Sequence, residues 1–329
     1  MQAPNLYPNS GPNLRNFDLT KLKEYGNMMV EYGGNYQKVT NFTKRCCLDK
    51  GELMRLFFLG TGAAEGYPAL FCECANCQEA RALGGRNLRL RSMLLINEDL
   101  LFDAGPDLGA VAMRYGLQLS RVRILLFTHL DDDHFCPSNL MWRASENRLT
   151  PLPLLKVFGP PAVIEVLLNP PAYLPGLDLD DARLSLNSVK PFSMWREDPY
   201  CFYSYPAQHG RGEKDALFYS VYDGKHHVLY AVDTGPWAES VWQALAKHKF
   251  DVVILDETMG YESSGGGHHN LSSFLEVYRR FRNSGLLREG ALFIAHHISH
   301  SNPPHDRLVE LLEPQGVKVA YDGMCLILD

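Results

Sequence analysis

The chain has 329 residues, 46% of them apolar and 21% charged, with a net charge of −6. That length supports one large buried core, and the negative balance argues against a phosphate-backbone surface and hence against nucleic acid as partner. No apolar run is long enough to span a bilayer and the first residues, MQAPNLYPNSGPNL, lack a basic-then-apolar leader, so the expectation is a soluble, cytoplasmic protein with no membrane partner.

Residues 1–52 differ in character from the rest and read as an N-terminal extension that wraps the main domain or serves a partner, with residues 53–329 as one domain. From Leu53 onward, short apolar runs end in Gly, Asp or His: LMRLFFLGTG, SMLLI, LLFDAG, VRILLFTH, HHVLYAVDTG, DVVILDET, ALFIAHH and VKVAYDGMCLIL. Runs this short and this apolar suit strands buried inside a layered structure. Pro137 to about Tyr200, rich in Pro and Leu, reads as an insertion shaping a pocket. Helical spacing predicts helices over Trp237–His248, over Leu271–Phe281 after an Asn270 cap, and over Pro303–Leu312. Grouped strands followed by strand–helix alternation predict an α/β protein with two packed mixed sheets flanked by helices.

Two clusters carry the chemistry. Directly after the apolar run Val122–Phe127 come His129, Asp131, Asp132, Asp133 and His134. So many carboxylates at the end of a buried strand are costly to desolvate, and a divalent cation removes that cost. Earlier in the chain, Cys72, Cys74 and Cys77 are bunched in one short loop, which in an intracellular chain reads as metal ligation rather than cross-linking. Cys46, Cys47, Cys136, Cys201 and Cys325 read as buried or incidental thiols.

The first cluster resembles the His-x-His-x-Asp-His signature of the metallo-β-lactamase superfamily, with Asp131 standing where the family normally has its second His. The resemblance continues through Gly60–Pro68, the Asp103–Gly105 turn, His209, the Asp233-Thr-Gly turn, Gly267-His268 and the run Ala295–His300. Within the superfamily it is similar to the branch of phosphoribosyl cyclic phosphate phosphodiesterase and the pyrroloquinoline-quinone biosynthesis B protein, and it covers roughly Leu53–Asp329. It implies an αββα sandwich holding two divalent metals (Mn, Zn or Fe). One would be bound by His129, Asp131, His209 and Asp233, the other by Asp133, His134, Asp233 and His297, with Asp233 bridging. His297 is preferred to His296, and His268 to His269.

The same resemblance implies His300 as fourth ligand to Cys72, Cys74 and Cys77, and three thiolates with one imidazole suit a closed structural zinc. The activity implied is that of a phosphodiesterase acting on a small organic or cyclic phosphodiester, and two further readings stand beside it. Asp133 and His268 would be the catalytic residues, a metal-bridging hydroxide the nucleophile, and His268 the proton donor to the leaving oxygen. The substrate would be a small anionic molecule, and the resemblance implies a homodimer. Asp131 is harder than imidazole and favours manganese or iron, which keeps a di-iron oxygenase or oxidoreductase open. An accessory protein of the quinone-pathway type is the third reading.

Overall fold

The computed structural model describes residues 28–32, 35–39, 53–170, 176–209, 216–262 and 267–329. The strands are β1 (Met28–Tyr32), β2 (Asn35–Val39), β3 (Met54–Gly60), β4 (Met93–Ile96), β5 (Leu100–Phe102), β6 (Ile124–Leu126), β7 (Leu155–Gly159) and β8 (Leu184–Ser188), then β9 (Met194–Glu197), β10 (Tyr200–Pro206), β11 (Leu217–Tyr222), β12 (His227–Ala231), β13 (Phe250–Asp256), β14 (Leu287–His296), β15 (Val317–Val319) and β16 (Cys325–Leu328). The helices are α1 (Ala75–Leu83), α2 (Leu108–Tyr115), α3 (Ser138–Met141), α4 (Pro161–Leu168), α5 (Glu239–Leu245), α6 (Leu271–Asn283) and α7 (His305–Leu312).

Two mixed sheets result. One has nine strands in the order β2-β1-β16-β3-β4-β5-β6-β7-β8, the other seven in the order β15-β14-β13-β12-β11-β10-β9. Period-2 alternation sorts side chains between layers. In β3, Leu56 and Phe58 face the core that also holds Val252 and Ile254 of β13, so that core lies between the sheets. Phe57 and Leu59 face the other way and pack with Val111 of α2 and Val163 and Leu167 of α4. Val253 and Leu255 of β13 pack with Val241 of α5, Phe274 and Phe281 of α6, and Leu308 of α7. Helices therefore cover both outer faces, which is the expected αββα sandwich.

The segment expected to be an insertion is built into both sheets. β7 and β8 extend the first in parallel pairing with β6, and β9 extends the second beside β10. Of residues 1–52, the backbone of β1 and β2 forms an antiparallel pair, and β1 runs parallel to β16; the remainder lies outside the described residues. Among the described residues no helix is long and apolar enough to cross a membrane.

β5, β6, β7 and β8 run parallel to one another, as do β12, β13, β14 and β15. Their carboxyl ends therefore lie along one edge of each sheet, and loops leaving that edge are carried by a rigid scaffold.

Candidate metal centre

Each side chain singled out in the first cluster leaves from such a strand end. Asp103 follows β5, the turn His129–His134 follows β6, Asp233 follows β12, and His297 follows β14. His209 lies three residues past the end of the antiparallel strand β10. Asp103, Asp233 and His297 all adopt left-handed backbone conformations, with φ of 61°, 49° and 59°. Non-glycine residues pay a conformational cost there, and the surrounding hydrogen bonds hold them in place. The turn after β5 approaches the ligand turn closely: a Cβ at Gly105 would collide with the carbonyl of Asp133.

These side chains converge on Asp233. On one side, His129 Nε2 lies 3.5 Å from Asp233 Oδ2 and 3.7 Å from Asp131 Oδ2, while His209 Nε2 lies 3.0 Å from Asp131 Oδ2. On the other, His297 Nε2 lies 3.1 Å from Asp233 Oδ1, His134 Nε2 lies 3.2 Å from Asp133 Oδ2 and in direct contact with Asp233 Oδ2, and the two Nε2 atoms are 3.4 Å apart. Asp133, His134, Asp233 and His297 are all buried, whereas the Asp131 side chain is 48% exposed.

The donor set fits cations. His129 Nε2 is buried, faces Asp233 Oδ2 at 3.5 Å and has no hydrogen-bond partner among the described residues, an arrangement that is costly without a shared positive charge. The electrostatics agree. Burial alone would depress His134 and His297, yet Asp133 and Asp233 raise both, His297 to about 10. His129 beside it and the hydrogen-bonded His209 hold Asp131 well below the usual carboxylate range. Burial would raise Asp233, but His297 and His134 outweigh it and hold the carboxylate ionised. Each group favours positive charge at this place, which a divalent ion supplies.

A layer of supporting groups fixes the imidazoles. His134 Nδ1 donates to Asp103 Oδ2 at 2.7 Å. Thr128 lies 2.9 Å from His129 Nδ1 and donates to Asp103 in turn. Thr258 repeats this on the other sheet, 2.8 Å from His297 Nδ1 and donating to Asp256 at 3.0 Å. With Nδ1 engaged, Nε2 is the nitrogen left to bind a metal. His268 has the reverse aspect: its Nδ1 lies 2.9 Å from Asp256 Oδ2 and 3.4 Å from Asp233 Oδ1. Asp256, Thr258 and Thr128 were missed in the sequence. The signal for Asp256 was present, because DVVILDET is a buried strand closing on an acid just as the run before Asp233 is.

Of the two adjacent pairs, His297 and His268 are at the centre. His296 packs against the rings of Phe58 and Tyr230, and the His269 backbone N–H donates to Asp256 while its ring meets Ser273. Three more histidines are buried away from this centre: His226, His227 at the start of β12, and His305 at the start of α7, 3.0 Å from Arg89 Nη2.

Cys72, Cys74, Cys77 and His300 form a second cluster whose ligand atoms all lie within 4.8 Å of one another. His300 Nδ1 is 3.4 Å from Cys77 Sγ and 3.8 Å from Cys74 Sγ, and the Cys77 N–H donates to Cys74 Sγ. His300 Nε2 lies 3.7 Å from Glu65 Oε1 on the other side of the ring.

Residues 98–298 match the model of the beta-lactamase superfamily domain. The chain belongs to the β-lactamase superfamily. Its two-sheet sandwich is the metallo-β-lactamase fold of that hydrolase family. No curated protein matches it significantly. Among solved structures it is similar to a diphosphatase from the PhnP family, at 20% identity and a TM-score of 0.65 over 84% of this chain and 98% of that one. It is also similar to Zn(2+)-bound PqqB from Methylobacterium extorquens, at 16% identity and 0.62 over 84% and 99%. A third is the metallo-beta-lactamase fold protein YhfI from Bacillus subtilis, at 17% identity and 0.61 over 84% and 100%.

Proposed function

We propose that the chain is a binuclear metal-dependent hydrolase of a small anionic phosphodiester. The observation that carries this reading is the central position of Asp233, whose Oδ2 lies between His129 and His134 and whose Oδ1 faces His297. His129, Asp131, His209 and Asp233 would hold one cation, and Asp133, His134, Asp233 and His297 the second. Bound there, divalent cations act as Lewis acids on a phosphoryl oxygen and bring the pKa of water toward neutrality.

The protein's own groups supply the rest. Asp133, buried between His134 and His297, is the carboxylate placed to orient the attacking water. His268 is partly exposed, and its Nδ1 is held by Asp256. The second ring nitrogen then carries the proton that goes to the departing alkoxide. The diphosphatase among the similar structures supports phosphorus as the electrophile. The cysteine cluster would hold a structural zinc, tying the 72–77 loop to the strand end that carries His297.

The test is turnover of bis(p-nitrophenyl) phosphate by the purified protein before and after chelation. Loss of hydrolysis on chelation and its return with Mn²⁺ or Zn²⁺ support the reading. Asp131 favours one other reading, a di-iron redox centre, because it adds a hard carboxylate. Oxygen consumption by the iron-loaded protein, with no hydrolysis under any metal, would replace the first reading with the second.

A further inference from the structure

The two halves of the centre are not built alike. In the inner half, Asp133, His134, Asp233 and His297 are all buried, and both imidazoles are backed through Nδ1, His134 by Asp103 and His297 by Thr258. In the outer half only His129 is backed, by Thr128. Among the described residues His209 Nδ1 is buried with no hydrogen-bond partner, and Asp131 is the one half-exposed ligand of the set.

We propose that the inner position is a retained metal site and the outer one an exchangeable site, both suited to hard cations such as Mn²⁺ or Fe²⁺; this rests on the binuclear reading above. Removing the group that supports a ligating imidazole typically weakens metal binding by about 10–100-fold, and no described residue gives His209 that support. Asp131 adds a second effect. It gives the outer position two carboxylates and two imidazoles with no sulfur, the same donor types as the inner one, so both suit Mn²⁺ or Fe²⁺, while the thiolates at Cys72, Cys74 and Cys77 suit zinc. One chain thus sorts metals by ligand softness. Its supply of hard cation would set how much of the protein carries the full pair.

The experiment takes full-length protein treated with a mild chelator, with elemental analysis confirming one zinc per chain retained. Mn²⁺ alone is then titrated in, and the free-ion electron paramagnetic resonance signal reports binding. The expected result is two steps, the first equivalent binding about 10–100-fold tighter than the second. Asp131→Asn and His209→Ala should each weaken the second step and leave the first unchanged, and Asp131→His should turn the second step toward Zn²⁺ in competition. Two equivalents of equal affinity, or variants that weaken both steps alike, would overturn the inequality while leaving the binuclear reading standing. Binding of no Mn²⁺ beyond the retained zinc would overturn both.

Discussion

His268 and Asp256 form a pair in which a fully buried carboxylate fixes one ring nitrogen of a partly exposed imidazole. If that imidazole delivers a proton to the leaving group, its importance must scale with how badly the leaving group needs one. His268→Ala should lower kcat about 10²–10⁴-fold for a diester with an alkyl leaving group, yet only slightly for one that releases p-nitrophenolate. A uniform loss across leaving groups would instead assign His268 to the structure of the centre. Asp256→Ala should reproduce part of the effect with little change in KM. At this scale the sequence was legible where ligands came in dense groups, as at His129–His134. It was less so where a single acid closed a strand, because one Asp after an apolar run looks like any strand end until its partners are in place.

The loop of Cys72, Cys74 and Cys77 and the strand end bearing His300 are joined across 223 positions of sequence by the contact between Cys77 and His300. His297 is three residues from His300, so whatever loosens the cysteine cluster also loosens a side chain of the metal centre. Cys77→Ser should therefore cost zinc and thermal stability together. A ligand present at a hundred times its Kd stabilises the fold by about 2.7 kcal/mol, which corresponds to a melting point lower by roughly 5–10 °C on its loss. Zinc content and a melting curve read this directly, and an unchanged melting point with zinc gone would detach the cluster from the stability of the fold. The sequence made helices such as α6 legible through periodicity and the Asn270 cap, which pairs with Ser273 as a capping box. It hid β7, β8 and β9, because these are short, partly polar strands scattered through a stretch rich in Pro and Leu, so the alternation that marks a strand never runs long enough to stand out.

Across the whole molecule, two buried histidines outside the centre couple folding to pH. Burial pushes His227 and His305 down to about 3. His227 sits in β12 among Tyr203, Tyr222 and Phe250, with Nε2 3.0 Å from Ser220 Oγ. The unfolded chain takes up a proton on this ring near pH 6.5, whereas the folded chain resists it until about 3, so the stability that neutral His227 contributes is complete above pH 6.5 and is lost as the pH falls toward 3. At pH 4.5, two units below the unfolded value, that loss is about 2.7 kcal/mol. Any bound metal would also be lost in acid, so the comparison belongs in chelated protein. There His227→Phe, six residues and some ~20 Å along the chain from Asp233, keeps the packing among the rings but removes the titration. Denaturant unfolding at pH 7 and pH 4.5 should show the variant losing about 2.7 kcal/mol less than the parent chain over that interval. Equal losses in the two proteins would mean that His227 accepts a proton without leaving the core, and that the acid sensitivity of the fold arises elsewhere.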